Sequence, residues 1–169
     1  MTDAPLRRLT IAPIGGALGE RIDALRRRWD PRMADRIRPH VTVLYEFVDV
    51  DRLRQVTHAW APLRLHLTRV RRWEQEPGIY LDVTDAHGDL ERFRAAALGA
   101  VTEGYHPHVT ILHRDSIASA AHADDAWTAL GDTVFATDIE VAELVVYDQL
   151  RTDAAPEEWK ESVRLRLSG

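Results

Sequence analysis

The chain has 169 residues, 45% hydrophobic and 29% charged, with nine glycines and eight prolines; these proportions describe a globular protein and exclude disordered, collagen-like and low-complexity classes. The formal net charge of -5 excludes a general polyanion coat, which depends on excess Lys and Arg, so any nucleic-acid contact must be local. The absence of cysteine removes disulfides, thiolate nucleophiles and Cys-ligated metals.

The opening Met-Thr-Asp-Ala-Pro-Leu-Arg-Arg lacks the basic start and apolar run of a secretory signal, and no stretch approaches about 18 apolar residues. A cytoplasmic protein with no membrane partner is expected. Residues 9–13 suit a first strand, and Gly15-Gly16 breaks the chain before Leu18, Ile22, Leu25 and Trp29 recur at helical spacing. Asp30-Pro31 favours a stop. Pro39 leads into residues 41–47, an apolar run with the character of a buried strand.

Val50, Leu53, Val56 and Trp60 outline a second helix that Pro62 ends, and Leu63, Leu65 and Leu67 then alternate with Arg64, His66 and Thr68 as a half-buried strand. After the Pro77-Gly78 turn come a short strand, 79–83, and a helix carrying Leu90, Phe93, Ala97 and Val101, closed near Gly104. Residues 109–112 repeat the buried-strand character, and an Ala-rich helix runs from about 117 to 130. Two strands remain, one over 139–147 and one in which Val163, Leu165 and Leu167 oppose Ser162, Arg164 and Arg166. Several connections are too short for a parallel crossover, so the chain should be α+β, with a largely antiparallel sheet and helices outside. One domain over 1–169 is expected, with motif-bearing halves 1–72 and 73–169.

The chemistry is concentrated in one repeated hexapeptide. Pro39-His40-Val41-Thr42-Val43-Leu44 matches Pro107-His108-Val109-Thr110-Ile111-Leu112 at five of six positions, and the sixth exchanges one β-branched residue for another. Elsewhere the halves share element order but no obvious sequence. On a strand, residues i and i+2 point the same way, so His40 pairs with Thr42 and His108 with Thr110, while Val41, Val43, Val109 and Ile111 face apolar packing. Two histidines that titrate near neutrality suit a reaction needing one proton removed and one supplied, each role worth roughly 10²- to 10⁴-fold. Two hydroxyls beside them suit donation to the non-bridging oxygens of a phosphate. Phosphodiester cleavage is such a reaction.

The paired His-x-Thr motifs, 68 positions apart, resemble those of the two-histidine (2H) phosphoesterase superfamily, which includes the bacterial 2',5'-RNA ligase / RNA 2',3'-cyclic phosphodiesterase proteins. The resemblance implies a bilobal, pseudo-twofold α+β fold whose sheets line a central cleft. It also implies metal-free hydrolysis of 2',3'-cyclic or other 2'-linked phosphates on RNA ends or nucleotides, with His40, Thr42, His108 and Thr110 as catalytic residues. No cofactor, no metal and no DNA partner is expected, and the protein is expected to be a monomer.

Candidates for substrate binding are Tyr45, Arg114, Tyr80 and Trp73; Arg114 shares the parity of His108 if the strand continues that far, and an aromatic ring could stack a base. Arg69 and Arg71 could reach a cleft edge. Two other readings stay open: a metal phosphatase built on His106 and His108 with His40 or His113, and a non-catalytic module that binds RNA ends or nucleotides. A structural duplication in which His and Thr satisfy one another is the blander alternative. Gly15–Gly19 misses the dinucleotide fingerprint, and no serine-hydrolase box is present.

Overall fold

The computed structural model describes residues 7–101, 104–150 and 158–169; most of the opening segment screened for a leader lies outside them. In chain order the first half runs β1 (Arg7–Pro13), α1 (Gly16–Trp29), α2 (Pro31–Ala34), β2 (His40–Leu44), α3 (Val50–His58) and β3 (Leu63–Arg72). The second runs β4 (Ile79–Thr84), α4 (Asp89–Leu98), β5 (His108–Leu112), a 3-10 turn (Arg114–Ser116), α5 (Ala120–Leu130), β6 (Val134–Val141), β7 (Glu143–Leu150) and β8 (Glu158–Arg166). The strands form two four-stranded sheets, ordered β2-β1-β7-β8 and β5-β4-β3-β6, and every pairing is antiparallel. No helix among the described residues is long and apolar enough to cross a membrane.

The α+β expectation and the antiparallel pairing are therefore met, and each sheet places one motif strand at its edge. The sheets do not follow the sequence halves, however. β7 and β8 come from the end of the chain and complete the sheet begun by β1 and β2, while β3 from the first half lies between β4 and β6.

One apolar cluster joins the two sheets: Val41, Val43 and Leu44 of β2 pack with Val109, Ile111 and Leu112 of β5, and with Ile22 of α1, Leu53 of α3, Phe93 of α4 and Ala126 of α5. Each large aliphatic or aromatic side chain contributes about 1.5–3 kcal/mol on burial, so the motif strands are anchored by their inward residues. A smaller cluster of Ile11, Ile37, Val145 and Tyr147, with Leu9 and Trp159 against it, fills the opposite face of the first sheet.

Several boundaries differ from the sequence reading. Residues 45–47 do not continue β2, because its pairing with β1 ends at Thr10↔Leu44 and Asp49 then caps α3 by accepting from the backbone N–H groups of Asp51 and Arg52. Asp30-Pro31 does end α1 but also starts α2: the Asp30 carboxylate accepts from the Met33 N–H at 3.1 Å, with Pro31 at the first helical position. α4 stops at Leu98, since Gly99 adopts φ 71° and its N–H closes on the Ala95 carbonyl, leaving Val101 80% exposed and Gly104 in the following loop. The expected strand over 139–147 is two strands in different sheets, β6 and β7, with Ala142 between them.

Candidate active site

β2 and β5, the edge strands of the two sheets, lie against one another. Val41, Val43, Val109 and Ile111 are buried in the common core, so the alternation of a strand turns His40, Thr42, His108 and Thr110 to the other face. His40, His108 and Thr110 are half-buried and Thr42 almost wholly so. The register extends each face: His40 and Thr42 stand opposite Pro13 and Ile11 of β1, whereas His108 and Thr110 stand opposite Asp82 and Tyr80 of β4.

The two imidazoles are held in the same way. Nδ1 of His40 lies 2.7 Å from the Arg38 carbonyl and Nδ1 of His108 lies 2.9 Å from the His106 carbonyl, in each case the residue two positions back. A carbonyl only accepts, so each neutral ring carries its hydrogen on Nδ1 and presents Nε2 as a lone pair. Burial, reinforced by the charges of Arg26 and His108, pushes the His40 ring down to about 4, against the opposing effect of its backbone hydrogen bond. The ring keeps an accessible face, but protein surrounds most of it. His108 is also lowered by burial, with the His106 charge adding to this and Asp82 and Glu76 opposing it. Since the charge of His108 acts on His40, the two rings are within electrostatic reach of one another.

Neither threonine hydroxyl has a hydrogen-bond partner among the described residues, so both remain available to an incoming acceptor. The backbone around them is fixed. The Tyr105 hydroxyl donates to the Thr42 carbonyl, and Arg94 donates to the Val43 carbonyl while its guanidinium lies 3.9 Å from the Tyr105 ring centroid. Tyr105 stands three residues before His108, so this contact ties the two motifs together. Burial raises the Tyr105 phenol and keeps it a donor.

Around His108 the second sheet builds a polar and aromatic wall. Asp82, nearly buried, takes His106 Nε2 at 2.7 Å on one carboxylate oxygen and Arg71 Nε at 2.9 Å on the other. Trp73 stacks on Tyr80 with ring centroids 4.0 Å apart, and its indole meets His108 edge-on at 5.1 Å. Gly78 makes room for this stack, because a Cβ there would come 2.8 Å from Trp73 Cδ1.

Of the four sequence candidates for substrate binding, Trp73 and Tyr80 are thus brought to His108, with Trp73 half-exposed and Tyr80 buried beneath it. Arg114 is not on the strand: β5 ends at Leu112, and Arg114 opens the 3-10 turn, bonded to Glu76 at 2.6 Å. Tyr45 is 57% exposed beyond the end of β2 and touches neither histidine among the described contacts. Arg71 reaches the wall through Asp82. Among the described residues no three His, Asp or Glu side chains converge as a metal site, and His106 is committed to Asp82.

Two residues escaped the sequence reading. Arg26, 3% exposed, occupies the apolar stripe of α1 one turn after Ile22, and a cation at a stripe position was the available signal. Asp82 shares the parity of Tyr80 within an apolar strand, but nothing in the sequence reports that β4 pairs with the motif strand.

The model of the 2'-5' RNA ligase superfamily matches residues 15–153. Among solved structures, E. coli LigT complexed with NADP+ is similar with a TM-score of 0.63 at 16% identity, over 99% of this chain and 100% of that one. The TT0787 protein of Thermus thermophilus gives 0.66 at 12% identity, over 97% and 99%. E. coli LigT complexed with 3'-AMP gives 0.65 at 16% identity, over 98% and 100%. These identities speak for the fold. No curated protein matches this chain at a significant level.

Proposed function

This chain belongs to the 2'-5' RNA ligase superfamily, and on that premise we propose that it is a metal-independent phosphodiesterase hydrolysing 2',3'-cyclic or other 2'-linked phosphates of RNA ends or nucleotides. One observation carries the reading. Two imidazoles, each tethered through Nδ1 to the carbonyl two residues back, present Nε2 from adjoining edge strands, and each has on its own face a threonine hydroxyl without a hydrogen-bond partner among the described residues.

The reaction follows from that arrangement. His40, held neutral at pH 7, accepts a proton from water as the water oxygen bonds to phosphorus. His108, whose carboxylate neighbours favour the charged form, gives a proton to the 2' or 3' oxygen as its bond to phosphorus breaks, leaving a phosphomonoester. The anionic phosphate itself raises the imidazolium pKa when bound, which assists loading of the acid. Thr42 and Thr110 donate to the non-bridging oxygens, where the charge must be held.

The test is turnover of 2',3'-cyclic mononucleotides and of a cyclic-phosphate-ended RNA in the presence of EDTA, with product position assigned by phosphorus NMR. Hydrolysis insensitive to EDTA and lost in His40→Ala and His108→Ala supports the reading. Tight binding without turnover would replace it with a binding module, and EDTA sensitivity would replace it with a metal enzyme.

A further inference from the structure

The two histidine tethers are alike, but the backbone that carries each is anchored by different means. In the first copy the backbone pairing reaches past the motif. His40 pairs with Pro13, and the next residue back, Pro39, accepts from the Ile14 N–H at 2.9 Å. The Arg38 carbonyl that holds His40 thus lies directly behind a fixed peptide, and the exposed Arg38 side chain has no hydrogen bond among the described residues.

In the second copy the sheet stops short. β4 pairs with β5 no further than Asp82↔His108, and among the described residues no backbone hydrogen bond holds Pro107 or His106. Proline has no N–H with which to extend a ladder. Val83 and Thr84, the next residues of β4, instead border a cavity of about 430 Å3 together with Tyr105 and Pro107, so the approach to the motif stands off the strand.

What fixes the His106 peptide is its own side chain. Nε2 lies 2.7 Å from one oxygen of Asp82, whose other oxygen is taken by Arg71 at 2.9 Å, and the ring meets Tyr80 and Trp73 edge-on at 5.6 and 5.8 Å. Asp82 is nearly buried on the strand that pairs with β5, so the sheet grips this segment through a carboxylate–imidazole contact in place of a ladder bond. One residue earlier the Tyr105 hydroxyl donates to the Thr42 carbonyl, which ties the segment to β2 but leaves the His106 peptide itself to the Asp82 contact.

We propose that His106 is a positioning residue for His108: its bond to Asp82 holds the carbonyl that sets the tautomer and direction of the His108 ring. A histidine tethered through Nδ1–H presents Nε2 one way; released, it samples both tautomers, and a misdirected catalytic group loses rate steeply. The effect on rate rests on the phosphoesterase reading above; the tether does not.

The test replaces the imidazole in three ways. His106→Gln puts an amide nitrogen where Nε2 stood and still donates to Asp82, His106→Asn is one methylene shorter and falls short of it, and His106→Ala donates nothing. All three remove the charge that His106 places beside His108, so differences among them report the hydrogen bond alone. Folding is checked by circular dichroism. Two-bond 1H–15N spectra at about pH 8, above the usual histidine value of about 6.5, read the tautomers of both motif rings. Wild type and His106→Gln should show His108 as the Nδ1–H tautomer, and the Ala and Asn variants a mixture, with His40 unchanged throughout. On a cyclic-phosphate substrate the Ala and Asn variants should lower kcat at least about tenfold with KM within about twofold, and His106→Gln should recover to within about threefold of wild type. A His108 ring that stays wholly Nδ1–H in His106→Ala, a His40 ring that shifts with it, or a Gln variant no better than Ala would overturn the proposal. If the tautomers change as expected but wild-type protein turns over no cyclic phosphate, the positioning role stands and the catalytic reading falls.

Discussion

The two motif strands carry almost the same six residues, yet their surroundings have little in common. On the first sheet, His40 and Thr42 sit opposite Pro13 and Ile11, and they share their face with the apolar cluster of Ile11, Val145 and Tyr147. On the second, His108 and Thr110 sit opposite Asp82 and Tyr80, beside His106, Arg71 and Trp73. Identical tethers therefore hold rings of unequal proton affinity. The cation close to His40 is a buried arginine from α1, while the charges that favour protonation of His108 are carboxylates, Asp82 on its own sheet and Glu76 just before it. In the proposed mechanism a repeated motif supplies two equivalent groups, and their unequal neighbours divide the labour between base and acid.

The comparison breaks most sharply if one histidine proves dispensable. His40→Ala and His108→Ala should each lower kcat/KM by at least about 10²-fold, measured on a cyclic-phosphate substrate. Full activity in either variant refutes the two-histidine reading. Next in size, Thr42→Ala and Thr110→Ala should each cost about 1.5–3 kcal/mol of transition-state stabilisation, the value of a hydrogen bond to a charged group, read as a fall in kcat/KM.

The asymmetry itself is sharpened by pH profiles. A bell-shaped kcat/KM should rise as His40 loses its proton near pH 4 and fall as His108 loses its own below the usual histidine value of about 6.5, which places the optimum on the acid side of neutrality. Asp82→Asn removes a charge that favours protonated His108, so the alkaline limb should move to lower pH. Arg26→Met removes a charge that disfavours protonated His40, so the acid limb should move to higher pH. Limbs that move together, or exchange places, would reverse the assignment of base and acid.

Smaller effects concern the scaffold. Tyr105→Phe loses the hydrogen bond to the Thr42 carbonyl and should lower unfolding free energy by about 1 kcal/mol, or more if that carbonyl stays dry, measured by urea denaturation. The depressed His40 also couples folding to pH. Between about 6.5, where the unfolded ring titrates, and about 4, where the folded ring does, the unfolded chain binds more protons, so stability should fall as pH drops through that window. His40→Asn should flatten this dependence.

Much of the molecule was legible in the sequence because strands and helices announce themselves by period. The strand parity of His40, Thr42, His108 and Thr110, the inward valines and isoleucine, and the α+β class follow from spacing alone. The misplaced boundaries have local causes that periodicity does not register. A left-handed Gly99 ends α4 while the apolar pattern runs on to Val101, and β6 and β7 read as one strand because Ala142 does not interrupt the hydropathy, although the inward positions change parity there from Ile139 and Val141 to Leu144 and Val146.

The sequence by itself determined that two His-x-Thr pairs exist, that each stands on one strand face, and that no thiolate chemistry is available. Only the tertiary structure decided that Asp82 and Tyr80 lie across from His108, that the charge of Arg26 is felt at His40, and that Trp73 rather than Tyr45 or Arg114 adjoins a motif ring. The physical reason is one of range. Side-chain direction along a strand is fixed by neighbouring backbone bonds, whereas the charges and rings that set a histidine's proton affinity arrive from segments tens of residues away, through strand pairing and core packing.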